Sequence, residues 1–256
     1  PDKVVNGHPL KQISAFIVES SWSGIETAHR CRFMGYNGIQ NGLLTFNQVR
    51  VPKENLLWDE GLGLKLALIT LNTGRLTLPA TNTAVAKQCV AIVRRWASTR
   101  KQWGEPVGRH EAVSTMVGWI ASHTFAMEAV ADYAAALADA KEADIRIEAA
   151  LAKLFCSEIG FQVVDRSLQV RGGRGYETVA SLEARGDVPF PIERFFREAR
   201  LNTIVEGSSE ILRLFLAREA LDPHFRRAGA LVKPDASFGA KARSAIAAGL
   251  FYVPWY

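Results

Sequence analysis

Apolar residues recur at helical spacing over most of the chain that follows residue 60. They return every three to four positions with few breakers, which predicts three long helices over residues 61–100, 111–141 and 143–170. Two shorter helices are predicted near residues 191–202 and 209–220, with Pro191 suited to a first helical turn and Ser208 or Ser209 to a helix cap. Long helices joined by short turns, such as the one at residues 104–106, are typical of an up-and-down bundle.

The N-terminal residues 1–57 follow a pattern that predicts strands instead. Residues 12–19 are a short apolar run. Apolar and polar residues alternate imperfectly over residues 27–36 and regularly over residues 42–52, where Pro52 ends the predicted strand. Proline also falls inside the first long helix, where Pro79 frees the carbonyl of Arg75 and predicts a kink.

Composition narrows the class of protein. A chain of 256 residues with 48% hydrophobic content can bury a large core, and no apolar run approaches the ~20 residues that cross a membrane. No signal peptide opens the sequence, so a soluble protein is expected. The three cysteines (Cys31, Cys89 and Cys156) lack a CxxC pair, which predicts neither a disulfide framework nor a metal site and favours a reducing compartment.

The charge leaves two kinds of ligand open. The formal net charge is +5, but the 31 basic and 26 acidic residues are interleaved along the predicted helices. Such a surplus is compatible with nucleic acid and equally with a phosphate-rich small ligand.

Glu206 is the first candidate for chemistry. It follows Ile204 and Val205 and precedes Gly207 at the start of a predicted helix, so a carboxylate lies at the end of an apolar approach. Such a group is a candidate base, although the local pattern alone favours an acid that merely complements the helix dipole.

Three segments together point to a known family. The stretch REARLNTIVEGSSEILRLFLARE (197–219), the upstream QVRGGRGY (169–176) and RKQWG (100–104) occur in the order and near the spacing of the acyl-CoA dehydrogenases, and the chain closely resembles that family from about residue 12 to residue 221. The resemblance implies a mainly α fold: a C-terminal helical bundle (58–221) preceded by the last strands of a β-barrel-like middle domain (1–57). Residues 222–256 resemble the start of the C-terminal extension of very-long-chain members.

The resemblance also implies roles for individual residues. Glu206 matches the base that removes the α-proton of a fatty acyl-CoA while a flavin accepts hydride from the β-carbon. Some relatives carry the base at the position of Gly74, where this chain has no side chain. Asn72, Arg75 and Gly207 are expected near the substrate, since a guanidinium offers planar donors suited to coenzyme A phosphates.

FAD is the expected cofactor. The matching positions are Arg100, Gln102, Trp103, Gln169, Gly172, Gly173, Ser208 and Glu210. RKQWG is also compatible with a simple helix end and turn. The glycine run is not a Rossmann fingerprint, because it follows a predicted helix and no βαβ unit surrounds it.

Expectations for the whole protein follow from the family. They are a homodimer or homotetramer, an electron-transferring flavoprotein as partner, a long-chain substrate, and the cytoplasm of a bacterium or the mitochondrial matrix of a eukaryote. No nucleic-acid partner and no transmembrane segment are expected. Because the family's N-terminal helical domain is missing from the matched part, this chain alone is expected to be inactive. The rival interpretations are an acyl-CoA oxidase and a non-catalytic relative that binds nucleic acid.

Overall fold

Long helices hold most of the buried side chains. The computed structural model describes residues 2–5, 8–141 and 144–253. Its helices are α1 (Gly63–Thr99), α2 (Glu111–Ala140), α3 (Arg146–Arg171), α4 (Gly173–Tyr176), α5 (Val179–Ala184), α6 (Ile192–Asn202), α7 (Ser209–Val232) and α8 (Phe238–Tyr252). None of the helices in these ranges is both long enough and apolar enough to cross a membrane.

The core lies where α1, α2 and α3 pack against one another, with α6 against α3. Small and β-branched residues fill this core, which lets the helix axes approach closely: Ala86, Cys89, Val93, Ile120, Cys156, Val163 and Val164. The predicted mainly helical fold is confirmed. Cys89 in α1 and Cys156 in α3 are unpaired and buried, and burial raises the pKa of each thiol to about 12.

The strands form antiparallel pairs. They are β1 (Asp2–Val5) with β2 (His8–Lys11), β3 (Ala15–Phe16) with β6 (Leu56–Leu57), β4 (Ile25–Arg30) with β5 (Gly42–Phe46), and β7 (Lys101–Gln102) with β8 (Glu105–Pro106).

Three strand predictions were too long. Residues 12–19 form a strand only at Ala15–Phe16, the strand expected over residues 42–52 ends at Phe46, and the one expected over residues 27–36 ends at Arg30. A strand extends only as far as a neighbour supplies hydrogen bonds, and here each neighbour is short. All five residues of β5 are exposed, so its alternating pattern does not correspond to a buried face.

The helix predicted near residues 209–220 is longer than expected. The helix expected to end near residue 220 runs on to Val232 with Pro223 inside it. Tertiary packing explains the continuation, since α7 packs on α8 and the Arg227 guanidinium lies 4.1 Å from the centre of the Phe251 ring. The division of the chain at residues 57 and 221 stays a prediction.

Pro79 does not break α1. The helix is continuous from Gly63 to Thr99, and Pro79 is buried. The kink at this position stays a prediction.

A series of three side-chain hydrogen bonds, which we call the polar relay, connects the N-terminal region to the helices. The Tyr36 hydroxyl donates to Asn202 Oδ1 (3.2 Å), Asn202 Nδ2 donates to Asn82 Oδ1 (2.9 Å), and Asn82 Nδ2 donates to the Leu78 carbonyl (2.8 Å). The relay fixes the end of α6 against the middle of α1. It therefore positions the loop that follows α6.

Candidate active site

Glu206 lies in the loop between α6 and α7, in an uncommon backbone conformation. Its φ is +57° and that of Gly207 is +99°, so two successive residues are in the left-handed region. Glycine adopts this region readily, whereas a glutamate there is strained. A Cβ added at Gly207 would also lie 3.2 Å from Leu212 Cδ2. Strain of this kind persists only where the surroundings hold it, and it is concentrated at functional sites.

The Glu206 carboxylate lies directly on the backbone of Gly74 in α1. A Cβ built at Gly74 would come within 2.6 Å of Glu206 Cδ and within 2.8 Å of both carboxylate oxygens. The absence of a side chain at Gly74 thus leaves a space, and the Glu206 carboxylate occupies it. The oxygen Oε2 is buried and has no hydrogen-bond partner, which is rare for a buried polar atom.

Arg75 supports the same loop from α1. Its Nε donates to the Glu206 carbonyl (3.5 Å), its Nη1 donates to Asn72 Oδ1 (3.3 Å), and its guanidinium lies 5.4 Å from the centre of the Phe215 ring. The structure therefore brings Asn72, Arg75, Glu206 and Gly207 together, although 131 residues separate Arg75 from Glu206.

Lys153 is a site residue that the sequence interpretation missed. It is fully buried in α3, and its Nζ donates to the Gly207 carbonyl (2.7 Å). Burial, together with the positive charge of Arg75, lowers the pKa of this ammonium to about 8, against the attraction of Glu206. A signal was available in the sequence: Lys153 falls in helical register with the small residues Ala149, Ala150 and Ser157, on a face that is otherwise buried.

Ser208 and Glu210 begin α7 at the edge of this group. Ser208 occupies the N-cap position but its side chain makes no capping hydrogen bond, so that part of the capping prediction was wrong; the buried Ser209 hydroxyl likewise has no partner. Glu210 is exposed, and its pKa is lowered by its own backbone N–H and by the Ser208 hydroxyl. The Glu210 carboxylate thus accepts a hydrogen bond from a backbone N–H at the start of α7, the role that the Ser208 side chain does not fill.

The RKQWG segment forms a tight hairpin after α1. Trp103 (φ +51°) and Gly104 (φ +83°) are the two turn residues between β7 and β8, as a type I′ turn requires. Trp103 is 87% exposed at the tip, where its ring packs edge-on against His110 with centroids 5.5 Å apart. The interpretation as a helix end and turn is confirmed, and Arg100 and Gln102 are exposed beside it.

Gln169, Gly172 and Gly173 lie at the end of α3 and are also exposed. Gly172 has φ +60°, and a Cβ at Gly172 or Gly173 would meet open space. This end of α3 meets the end of α1 at Trp96, whose Nε1 donates to the Val170 carbonyl (3.1 Å) and whose ring centre is 5.9 Å from the Arg100 guanidinium. Among the described residues, no hydrogen bond, ion pair or ring contact joins this second group to the Glu206 group.

Comparison with known proteins gives a consistent result. Residues 61–221 match the model of the acyl-CoA dehydrogenase C-terminal domain. The probable acyl-CoA dehydrogenase FadE10 of Mycobacterium tuberculosis is 52% identical over 243 residues, which are 95% of this chain and 37% of that protein. The very long-chain specific acyl-CoA dehydrogenase of mouse mitochondria is 32% identical over 82% of this chain and 31% of its own length.

A solved structure shares the fold. The acyl-CoA dehydrogenase of Bacillus anthracis, complexed with FAD, superposes with a TM-score of 0.75 at 29% identity, over 84% of this chain and 38% of that one. The chain spans less than half the length of each of these relatives. With the family's C-terminal domain model matched over residues 61–221, this chain belongs to the acyl-CoA dehydrogenase family.

Proposed function

We propose that the protein catalyses the FAD-dependent α,β-dehydrogenation of a fatty acyl-CoA, with Glu206 as the base that takes the α-proton. The observation that carries the proposal is the Glu206 carboxylate: one oxygen is buried without a partner, on a strained turn. A general base must be held near the proton that it removes and must keep a free lone pair.

The neighbours of Glu206 support a positioned base. Arg75 and Lys153 each donate to a backbone carbonyl of the turn, those of Glu206 and Gly207 respectively. The side chain can therefore reach substrate while its backbone stays in place. In this arrangement Arg75 stabilises the turn, and its cationic edge, with Asn72, supports the coenzyme A end of the substrate.

The residues assigned to FAD have features that suit a dinucleotide. Trp103 offers an exposed aromatic face, Gly172 and Gly173 offer backbone with no side chain in the way, and Arg100 has no carboxylate partner among the described residues. We infer that these residues, with Gln102 and Gln169, hold the nucleotide half of FAD, while Ser208 and Glu210 lie nearer the reacting flavin. The bound flavin supplies the acceptor for the β-hydride.

Partners and substrate are part of the same proposal. An electron-transferring flavoprotein receives the electrons, and the preference is for a long acyl chain. The likeness to the mouse very long-chain specific enzyme supports that preference, as does a chain that continues beyond the matched domain into α8.

Replacing Glu206 tests the base. In the complete enzyme, Glu206→Gln keeps size and hydrogen bonding but removes the proton acceptor, so bleaching of the flavin by acyl-CoA should slow by about 100-fold to 10,000-fold while FAD and substrate still bind. Glu183→Gln is the matched control, since Glu183 is an exposed carboxylate in α5 away from the turn. Bleaching by Glu206→Gln within a few-fold of the control would end the assignment.

A further inference from the structure

Lys153 is a buried cation with no carboxylate beside it. It is 0% exposed in α3, and the hydrogen bond from its Nζ to the Gly207 carbonyl (2.7 Å) is made to a neutral group. Among the described residues, no carboxylate oxygen lies within 4 Å of this nitrogen. Burying a charge is costly unless another group compensates it, so we looked for the group that compensates Lys153.

The turn that carries Glu206 is held at two carbonyls, and Lys153 makes the shorter of the two contacts. Arg75 Nε lies 3.5 Å from the Glu206 carbonyl oxygen, at the outer limit for a hydrogen bond, whereas 2.7 Å is typical of a charge-assisted bond. Gly207 follows Glu206 directly and leads into α7. Lys153 therefore fixes the strained turn where it joins the helix.

Four charged groups face the Lys153 ammonium from the elements around it. Arg75 in α1 repels it, while Glu206 in the turn, Glu158 in α3 and Glu210 in α7 attract it. Two of these carboxylates have other partners: Glu158 pairs with an arginine of α7, and Glu210 accepts from the backbone at the start of that helix. Glu206 remains, and its buried Oε2 has no hydrogen bond.

The buried ammonium and the buried carboxylate thus compensate each other without contact. A direct ion pair would occupy the carboxylate lone pair that a base needs. Attraction across a short stretch of poorly solvated interior leaves that lone pair free. The hydrogen bond to the Gly207 carbonyl keeps the ammonium away from the carboxylate.

We propose that Lys153 is a positioning residue for the base: it anchors the turn through Gly207 and supplies the counter-charge of Glu206 without binding its carboxylate. The inference rests on the proposed function of Glu206, because Lys153 acts through that residue.

The counter-charge depends on pH. Burial, more than the charge of Arg75, lowers the pKa of Lys153 to about 8. The ammonium is therefore charged below this pH, and its charge is lost as pH rises beyond it.

Replacing Lys153 in the complete FAD-loaded enzyme tests the proposal. Lys153→Met should lower the limiting rate of flavin bleaching by acyl-CoA about 10-fold to 100-fold, since a slightly misplaced reacting group costs up to about 100-fold. The acyl-CoA concentration that gives half of this rate should change less than about threefold, because Asn72 and Arg75 are intact. Lys233→Met, at an exposed lysine that ends α7, is the control and should bleach like the unmodified enzyme.

A double variant separates positioning from general damage. Lys153→Met combined with Glu206→Gln should bleach within about twofold of Glu206→Gln alone, since no base is left to position. An equal loss in both backgrounds overturns the proposal, as does bleaching by Lys153→Met within about twofold of Lys233→Met. Normal bleaching by Glu206→Gln would instead refute the proposed function, so the two failures are distinguishable.

The pH profile gives a second readout. Between about pH 7 and pH 9.5, bleaching by the unmodified enzyme should fall at least about threefold as Lys153 loses its proton, and Lys153→Met should lack this fall. Profiles of equal shape overturn the proposal. If Lys153→Met does not fold, as judged by circular dichroism, Lys153→Gln takes its place and the same outcomes decide.

Discussion

At the scale of single residues, Glu206 and Gly74 must be considered together. The carboxylate of Glu206 occupies the space that a Cβ at position 74 would need. A side chain at either position thus projects into the same volume, which gives a physical reason why the resemblance places the base of different relatives at one or the other. It also means that a bulky side chain is tolerated at only one of them.

Relocating the base tests this exclusion. In the complete enzyme, Gly74→Glu combined with Glu206→Ala should recover flavin bleaching by at least about tenfold over Glu206→Ala alone, out of the 100-fold to 10,000-fold that a general base contributes. Gly74→Glu combined with Glu206→Gln should recover less, because the amide still fills the space. Equal recovery in the two double variants would show that the positions do not compete.

Lys153 should give the chain a measurable pH dependence. Its pKa is lowered from 10.5 to about 8 in the folded chain. Between these values the unfolded chain binds more protons than the folded chain, so the free energy of unfolding rises with pH across this window. Below pH ~8 both states carry the charge, and the full cost of burying it is present.

A comparison with Lys153→Met isolates this effect. Urea unfolding between about pH 7 and pH 9.5 should show the stability of the unmodified chain rising relative to that of the variant. Cys89 and Cys156, with pKa values raised to about 12, lower stability as pH rises through the alkaline range, but they do so in both proteins and cancel in the difference. Parallel pH profiles would refute the assignment to Lys153.

At the scale of elements, the active-site loop is held by what lies before it and beneath it. Asn202 ends α6 and is 5% exposed, and Asn82 in α1 is 3% exposed. Their hydrogen bond fixes the end of α6 four residues before Glu206. Helix packing alone would allow α6 to slide along α1, whereas a buried amide pair specifies one position.

Removing one amide should destabilise the fold. Asn202→Leu leaves Asn82 Oδ1 without its donor and should lower the free energy of unfolding by about 1–3 kcal/mol. Tyr36→Phe, which removes only the half-buried end of the relay, should cost about 0.5–1.5 kcal/mol. Urea unfolding of both variants checks the order; a larger loss for Tyr36→Phe would contradict it.

At the scale of the whole molecule, long helices leave large apolar side chains exposed. On α2, Phe125 is 73% and Tyr133 is 65% exposed. Eight residues separate them, so they lie on neighbouring parts of one helix face. Exposed aromatic side chains of this size are enriched at interfaces between subunits.

We expect the chain to form at least a dimer through this face of α2. Sedimentation at micromolar concentration should show the dimer, and Phe125→Asp should shift it toward monomer because a charge would be buried in the interface. Phe46→Asp, on the exposed strand β5, is the matched control and should leave the assembly unchanged. A monomeric unmodified chain would contradict the prediction.

The sequence by itself determined the helices and the family. Helical spacing depends on neighbours within one or two turns, so α1, α2, α3 and α6 could be read with ends correct to a few residues. The motifs around Glu206, Arg100 and Gln169 are also local, and they sufficed to name the family that the domain match then established. The α7 prediction ended too early because a proline inside a helix reads locally as a stop.

The tertiary structure decided everything that depends on contacts distant in sequence. Lys153 reaches Gly207 across 54 residues, and the space opposite Glu206 is supplied by Gly74 in another helix. Arg171 could be recognised as a buried, unsatisfied cation only when Trp96 and Phe190 were seen on either side of it. Periodicity shows which face of a helix is buried, but the partner of a buried charge comes from a different part of the chain, and only the folded molecule brings the two together.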